Sequence, residues 1–123
     1  MIESKELRRL NLVEFEGRIF EIECISEEAP FLRTIEFGYG VVTYQNINPV
    51  PTTEDILLKL GFEKYEFDHK PTQYRYKTRL IVIRDGNFYD YGTDVKLEFV
   101  HRLQNLYFET LNEELPTDKI LNV

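Results

Sequence analysis

The stretch Tyr74-Arg75-Tyr76-Lys77-Thr78-Arg79 interleaves three cations with two aromatic rings. Single-strand nucleic-acid binders combine the same groups, cations for phosphates and rings for base stacking. On an extended strand, side chains alternate between faces. Arg75, Lys77 and Arg79 then share one face, and Tyr74 and Tyr76 the other. A stacking platform needs both kinds on one face. The alternation therefore favours a solvated sheet face, with Glu66 and Asp68 of a neighbouring strand as local partners. Nucleic-acid contact through Arg75, Lys77 and Arg79 is one alternative; docking of an acidic protein is the other.

Other chemistries have less to stand on. His69 and His101 are the only histidines and lie far apart, with no His-x-x-x-His, cysteine cluster or calcium-loop spacing, so no metal and no cofactor is expected. Cys24 is the only cysteine. It lacks a neighbouring His, Lys or second Cys to stabilise a thiolate, and reads as a small core residue. Ser4 and Ser26 are the only serines, one near the start and one among acids. The acid pairs Glu27-Glu28, Glu54-Asp55 and Glu113-Glu114 fit capping and solvation better than general acid–base work. Gly38-Tyr39-Gly40 has no Lys-Ser/Thr behind it and reads as a turn, not a phosphate loop. No enzymatic motif emerges.

The elements that must position these residues are read from periodicity. Leu12-Val13-Glu14-Phe15 and Arg18 to Ile25 alternate about the turn Glu16-Gly17 and predict a hairpin. Ser26 to Pro30 reads as a loop. Phe31 to Phe37 and Val41 to Tyr44 read as strands. Thr52-Thr53-Glu54-Asp55 predicts the capped start of a short helix that buries Ile56, Leu57 and Leu60 and ends at Gly61. Phe62 to Asp68 and Gln73 to Ile83 predict a second hairpin, with Phe67 opposite Tyr74, Glu66 opposite Arg75 and Tyr65 opposite Tyr76. Asp85-Gly86 predicts a tight turn that sets Ile83 opposite Phe88 and Val82 opposite Tyr89. Residues 95–99 read as a last strand.

The longest helix is expected over Phe99 to Asn112. At about 100° per residue, Val100, Leu103, Leu106, Tyr107 and Leu111 form one apolar stripe. His101, Asn105 and Glu109 fall on the other side, and Asn112 can close the helix in the left-handed conformation. Phe108 lies off the stripe beside His101 and Asn105. Either strands curl far enough to cover it, or these three residues form a partner or homodimer surface.

The expected fold class is α+β. It is a mainly antiparallel sheet of about seven or eight strands, barrel-like at its N-terminal start, with a short central helix and a longer C-terminal helix. One domain is expected over residues 1–115 and a loose tail over 116–123. Twenty-two acidic residues outnumber fifteen basic ones, a net charge of −7. Such acidity repels phosphate backbones at long range, so direct nucleic-acid binding is disfavoured, while docking on a basic protein surface is permitted. No apolar run approaches the roughly 20 residues that cross a bilayer. The charged start Met-Ile-Glu-Ser-Lys-Glu and the lone cysteine point to the cytoplasm.

Two segments carry a resemblance. Ile47-Asn48-Pro49-Val50-Pro51-Thr52-Thr53-Glu54-Asp55-Ile56-Leu57-Leu58-Lys59-Leu60-Gly61-Phe62 resembles the I-x-P-I-P-L-T-E-E-I-L-L-K-L-G-F stretch of an uncharacterised family of small proteins. Phe99-Val100-His101-Arg102-Leu103-Gln104-Asn105-Leu106-Tyr107-Phe108 resembles that family's Y-V-H-Q-L-Q-N-L-Y-F helix. A weaker likeness runs over Glu6-Leu7-Arg8-Arg9-Leu10-Asn11-Leu12-Val13, where the family tends to have Gly in place of Leu10. Asn112 stands where the family often has Gly. The family is carried by bacteria, prophages and phages, and offers no catalytic residues to transfer. The resemblance implies a protein-binding module that disables a host defence protein, an RNA-guided (CRISPR) nuclease being one form. A nucleic-acid-binding accessory protein and a small enzyme without a recognisable motif are the alternatives.

Overall fold

The structure is a computed structural model that describes residues 7–29, 32–37, 40–43 and 46–121, with side chains at 7–23 and 46–121. Its strands are β1 (Leu12–Phe15), β2 (Arg18–Glu21), β3 (Cys24–Ala29), β4 (Leu32–Phe37), β5 (Gly40–Thr43), β6 (Asn48–Pro49), β7 (Glu63–Tyr65), β8 (Gln73–Tyr76), β9 (Arg79–Arg84) and β10 (Asn87–Asp90). Its helices are α1 (Glu54–Lys59), α2 (Val100–Leu111) and α3 (Asp118–Leu121). The class is α+β. The strands do not join in one sheet, however. Among the described residues they form three antiparallel sheets, ordered β2-β1-β6, β3-β4-β5 and β10-β9-β8-β7, and none closes into a barrel. The strands are two to six residues long and pair with their neighbours in the chain, except for β1, which also pairs with β6. No described helix is long and apolar enough to cross a membrane.

The chain divides into two compact units, Met1–Val50 with Phe99–Glu113 and Pro51–Glu98 with Glu114–Val123. In the first, β1 and β2 turn at Glu16 (φ 50°) and Gly17 (φ 79°), both left-handed, and pair Val13 with Phe20 as the alternation requires. Leu7, Val13, Ile22 and Ile47 are buried together, with Phe15 and Phe20 packed against them. Full burial of one such aliphatic side chain contributes ~1.5–3 kcal/mol. Residues 26–29, expected as a loop, belong to β3, which pairs with β4 through a register shift between Glu27 and Ala29. The Cys24 side chain, Ser4 and the Gly38-Tyr39 turn lie outside the described residues.

Helix α2 starts without a side-chain cap and ends at Asn112 (φ 55°), whose N–H donates to the Phe108 carbonyl at 2.9 Å. Its buried residues are Val100, His101, Leu103, Gln104 and Tyr107. The buried face is therefore rotated from the expected stripe, and Leu106 is only half-buried. The cause is Gln104. Its Oε1 accepts from the Leu12 N–H (2.7 Å) and its Nε2 donates to the Leu10 carbonyl (3.0 Å). The amide supplies a ladder partner for backbone groups at the start of β1, so a polar residue belongs on the inner face. Leu10 itself is left-handed (φ 75°). Its N–H donates to Ile22 and that of Ile22 to Asn11, extending the β1–β2 ladder past the bend.

In the second unit, Thr53 caps α1 by accepting from the Ile56 N–H at 3.3 Å, and Leu57 and Leu60 are fully buried. Gly61 (φ 101°) follows the helix, where a side chain would be strained. The Asp85-Gly86 hairpin has the expected register, Ile83 with Phe88 and Val82 with Tyr89. The preceding hairpin does not. Glu63 faces Arg75, Lys64 faces Tyr74 and Tyr65 faces Gln73, because residues 66–72 all lie in the loop. Nor is 73–83 one strand. Lys77 turns left-handed (φ 53°) and the chain reverses, pairing Tyr76 with Arg79. Residues 95–99 make isolated bridges at Lys96, which pairs with Tyr89, and at Phe99, instead of a strand. Past Pro116, in the stretch expected as a tail, α3 forms a helical turn.

Candidate functional site

Cross-strand partners share a face of a sheet. The β7–β10 pairings therefore sort its residues into two sets. One face carries Tyr74, Ile81 and Asp90, all at most 1% exposed. Tyr74 packs edge-on against Phe88 at 5.8 Å, and its hydroxyl donates to the Glu54 carboxylate at 2.8 Å, tying α1 to β8. Burial, then the Glu54 carboxylate, pushes the Tyr74 hydroxyl up to about 12. Lys64 bonds the same carboxylate at 2.5 Å and, with Tyr74, holds it below the usual carboxylate range. Asp90 accepts from Arg79 at 2.6 Å and from the Thr93 N–H and hydroxyl, which fixes the 90–93 turn.

The opposite face is open. One row across it reads Tyr65, Gln73, Val82, Tyr89 and then Lys96; the next includes Glu63, Arg75 and Leu80. Every one of these side chains is exposed or half-buried. The Arg75 guanidinium lies 5.0 Å from the centre of the Tyr65 ring, and Arg84 lies 4.3 Å from that of Tyr89. At normal strand spacing the two stacks are three strands, or about 14 Å, apart. Each exposed stack contributes ~0.5–1 kcal/mol and holds a planar cation over a flat ring. Glu63 accepts from the Tyr65 hydroxyl at 2.8 Å and raises its pKa. Asp94 bonds Arg84.

A cleft of about 300 Å³ opens at one end of this face. Gln73 and Val82 come from the strands, Pro71 and Tyr91 from the flanking loops, and Lys70, Arg84 and Asp94 bring the charges. A second, of about 330 Å³, has Gly61, Glu63, Arg75, Tyr76 and Lys77 around it.

The cations singled out by sequence are thus only partly brought together. Arg75 and Lys77 border one cleft, but Lys77 sits in a turn, and Arg79 faces the buried side in its ion pair with Asp90. They do not share a strand face. The residues missed were Tyr65, Arg84 and Tyr89. The Asp85-Gly86 turn already implied that Tyr89 joins Val82, whereas placing Tyr65 beside Arg75 required the length of the preceding loop.

In the first unit, His101 lies on the buried face of α2 (1% exposed), stacked on Phe99 at 6.0 Å, and not on the exposed flank expected for it. The helix is rotated to seat Gln104, and His101 turns in with it. Asn105 is half-buried and accepts from Asn11 at 2.8 Å. Phe108 is 39% exposed, with the Arg8 guanidinium 4.5 Å above its ring. Arg8 also donates to the Gln104 carbonyl at 3.2 Å. Phe108, His101 and Asn105 do not form one exposed patch. Among the described residues no three His, Cys, Asp or Glu side chains gather as metal ligands. No protein-family model, curated protein or solved structure matches this chain.

Proposed function

We propose that this chain is a non-enzymatic binding module for a protein partner, with the open face of the β7–β10 sheet as its contact surface. The observation that carries the reading is the pair of arginine-on-tyrosine stacks, Arg75 on Tyr65 and Arg84 on Tyr89, on one exposed face. Tyr and Arg dominate interface hot spots because they bury large area and bond at little cost in ordering. Glu63 and Asp94 stand among the cations, a mixed pattern suited to a protein surface. The first unit carries eleven acidic against six basic residues, the second eleven against nine. Acidity concentrated in the first unit lets a basic part of the partner approach that unit, while the cation-bearing β7–β10 face takes a less basic part. Together with the likeness to phage-borne chains, it extends the proposal to a host defence protein such as an RNA-guided nuclease in the cytoplasm.

The test is affinity capture from host lysate, with Tyr65→Ala/Tyr89→Ala as a parallel bait, followed by direct binding of the purified partner. A single protein held by the native chain and lost from the double variant supports the reading. Equal capture by both baits refutes it. Binding to a basic surface should also weaken with salt.

One observation favours a second reading. The sheet sets cations and aromatic rings on a common face, the condition that the 74–79 segment alone fails. Single-stranded nucleic acid on this face would show log affinity falling linearly with log salt, and lose binding in Arg75→Gln/Arg84→Gln.

A further inference from the structure

We propose that the cleft between the 70–71 loop and the 91–94 turn is the anchor pocket of this face. Its occupant is an apolar or aromatic side chain flanked by carboxylates, presented by an acidic segment of the partner. The inference rests on the protein-binding reading above and adds the chemistry of what is bound.

Size, lining and charge support it. About 300 Å³ lies at the small end of ligand pockets and suits one side chain, not an extended ligand. Val82 is half-buried, and Tyr91, 69% exposed, is the most exposed large hydrophobic side chain described. With Pro71 these give an apolar body to the cleft. Lys70 and Arg84 outnumber Asp94, which is already bonded to Arg84. The guanidinium has five donors in a plane, and the stack on Tyr89 holds that plane fixed. A carboxylate beside the cleft meets donors held in place, and the Gln73 amide adds a neutral one.

The probe is acetyl-Glu-Glu-Tyr-Glu-Glu-amide, titrated into the whole chain and followed by NMR at the Val82 methyls and the Gln73 side-chain amide. Saturable shifts at both are expected. The Gln-for-Glu analogue should bind about tenfold more weakly, as two exposed charge contacts of ~0.7 kcal/mol each would give. Lys70→Gln/Arg84→Gln should lose the same factor for the acidic peptide. Tyr91→Ala, which leaves the Arg84–Asp94 pair in place, should weaken both peptides alike. Equal binding of the neutral analogue, shifts confined to other residues, or displacement by oligothymidine of equal charge would overturn the inference. If Lys70→Gln/Arg84→Gln still captures the cellular partner while Tyr65→Ala/Tyr89→Ala does not, the pocket falls and the protein-binding reading stands. Capture unaffected by the tyrosine pair removes the broader reading, whatever the peptide does.

Discussion

Replacing Gln104 by Met keeps the length and flexibility of the side chain and removes both of its hydrogen bonds. The Leu12 N–H, now 2.7 Å from Oε1, and the Leu10 carbonyl, 3.0 Å from Nε2, lose their partners. Gln104 is fully buried, so water does not take its place. An unsatisfied buried group costs about 1–3 kcal/mol, and the thioether returns roughly 1 kcal/mol of apolar transfer. For the two groups together the net loss is about 1–5 kcal/mol, a large share of the ~5–15 kcal/mol that holds a domain folded. Urea denaturation of Gln104→Met against the native chain measures the total. Hydrogen exchange at the Leu12 amide isolates the first unit, and should accelerate about thirtyfold for a 2 kcal/mol loss. Gln104→Glu separates the two bonds. Its carboxylate still accepts from Leu12 but donates to Leu10 only when protonated, so this variant gains stability as pH falls. If Gln104→Met unfolds within about 0.5 kcal/mol of the native chain by urea titration, and Leu12 exchange is unchanged, the amide is not a structural partner of that backbone.

Two more expectations concern single residues. An unfolded tyrosine ionises near 10, and the fold holds the Tyr74 proton to about 12. The stabilisation is complete below pH 10 and disappears as pH rises from 10 to 12, amounting to at most ~2–3 kcal/mol. Tyrosinate absorbance, taken as a difference from Tyr74→Phe, should show one late-titrating ring, and thermal unfolding of that variant should lose the alkaline slope. Asn112→Gly should stabilise by ~0.5 kcal/mol, because residue 112 is left-handed at φ 55° and glycine adopts that region freely. An unchanged or lowered melting temperature would show that the Asn112 side chain contributes more than its backbone costs.

Where the chain turns tightly on glycine, sequence was enough. Glu16-Gly17 and Asp85-Gly86 fixed two hairpins with their registers, because few residue pairs tolerate two successive left-handed positions. Thr53 and Gly61 marked α1 for equally local reasons. Turns without such residues were not legible. Lys77-Thr78 has no intrinsic turn preference, and the left-handed Lys77 is imposed by the pairing around it, so the basic strand looked continuous. The buried face of α2 was misread because a glutamine counts as polar until its backbone partners are known. Arg75 stood out in the sequence as a candidate, but the ring it stacks on lies on another strand at a register set by a seven-residue loop.

The Gln104 bonds join backbone groups to a side chain 92 and 94 positions further along the chain. At ~5–20 residues per second, a ribosome delivers that glutamine roughly 5–20 s after Leu12. During that interval the β1–β2 hairpin has its two-residue turn, its own ladder and, once β6 is made, the pairing with β6 and the core contact with Ile47, but not the helix amide. The whole of 51–98 is made before the first unit can finish. The order of folding is therefore the reverse of a simple N-to-C sequence: the inserted segment can pair its strands first, and the older one waits for α2. A chain arrested before Gln104 leaves the ribosome with that amide missing from its ladder, a form more open to chaperones and proteases than the finished unit.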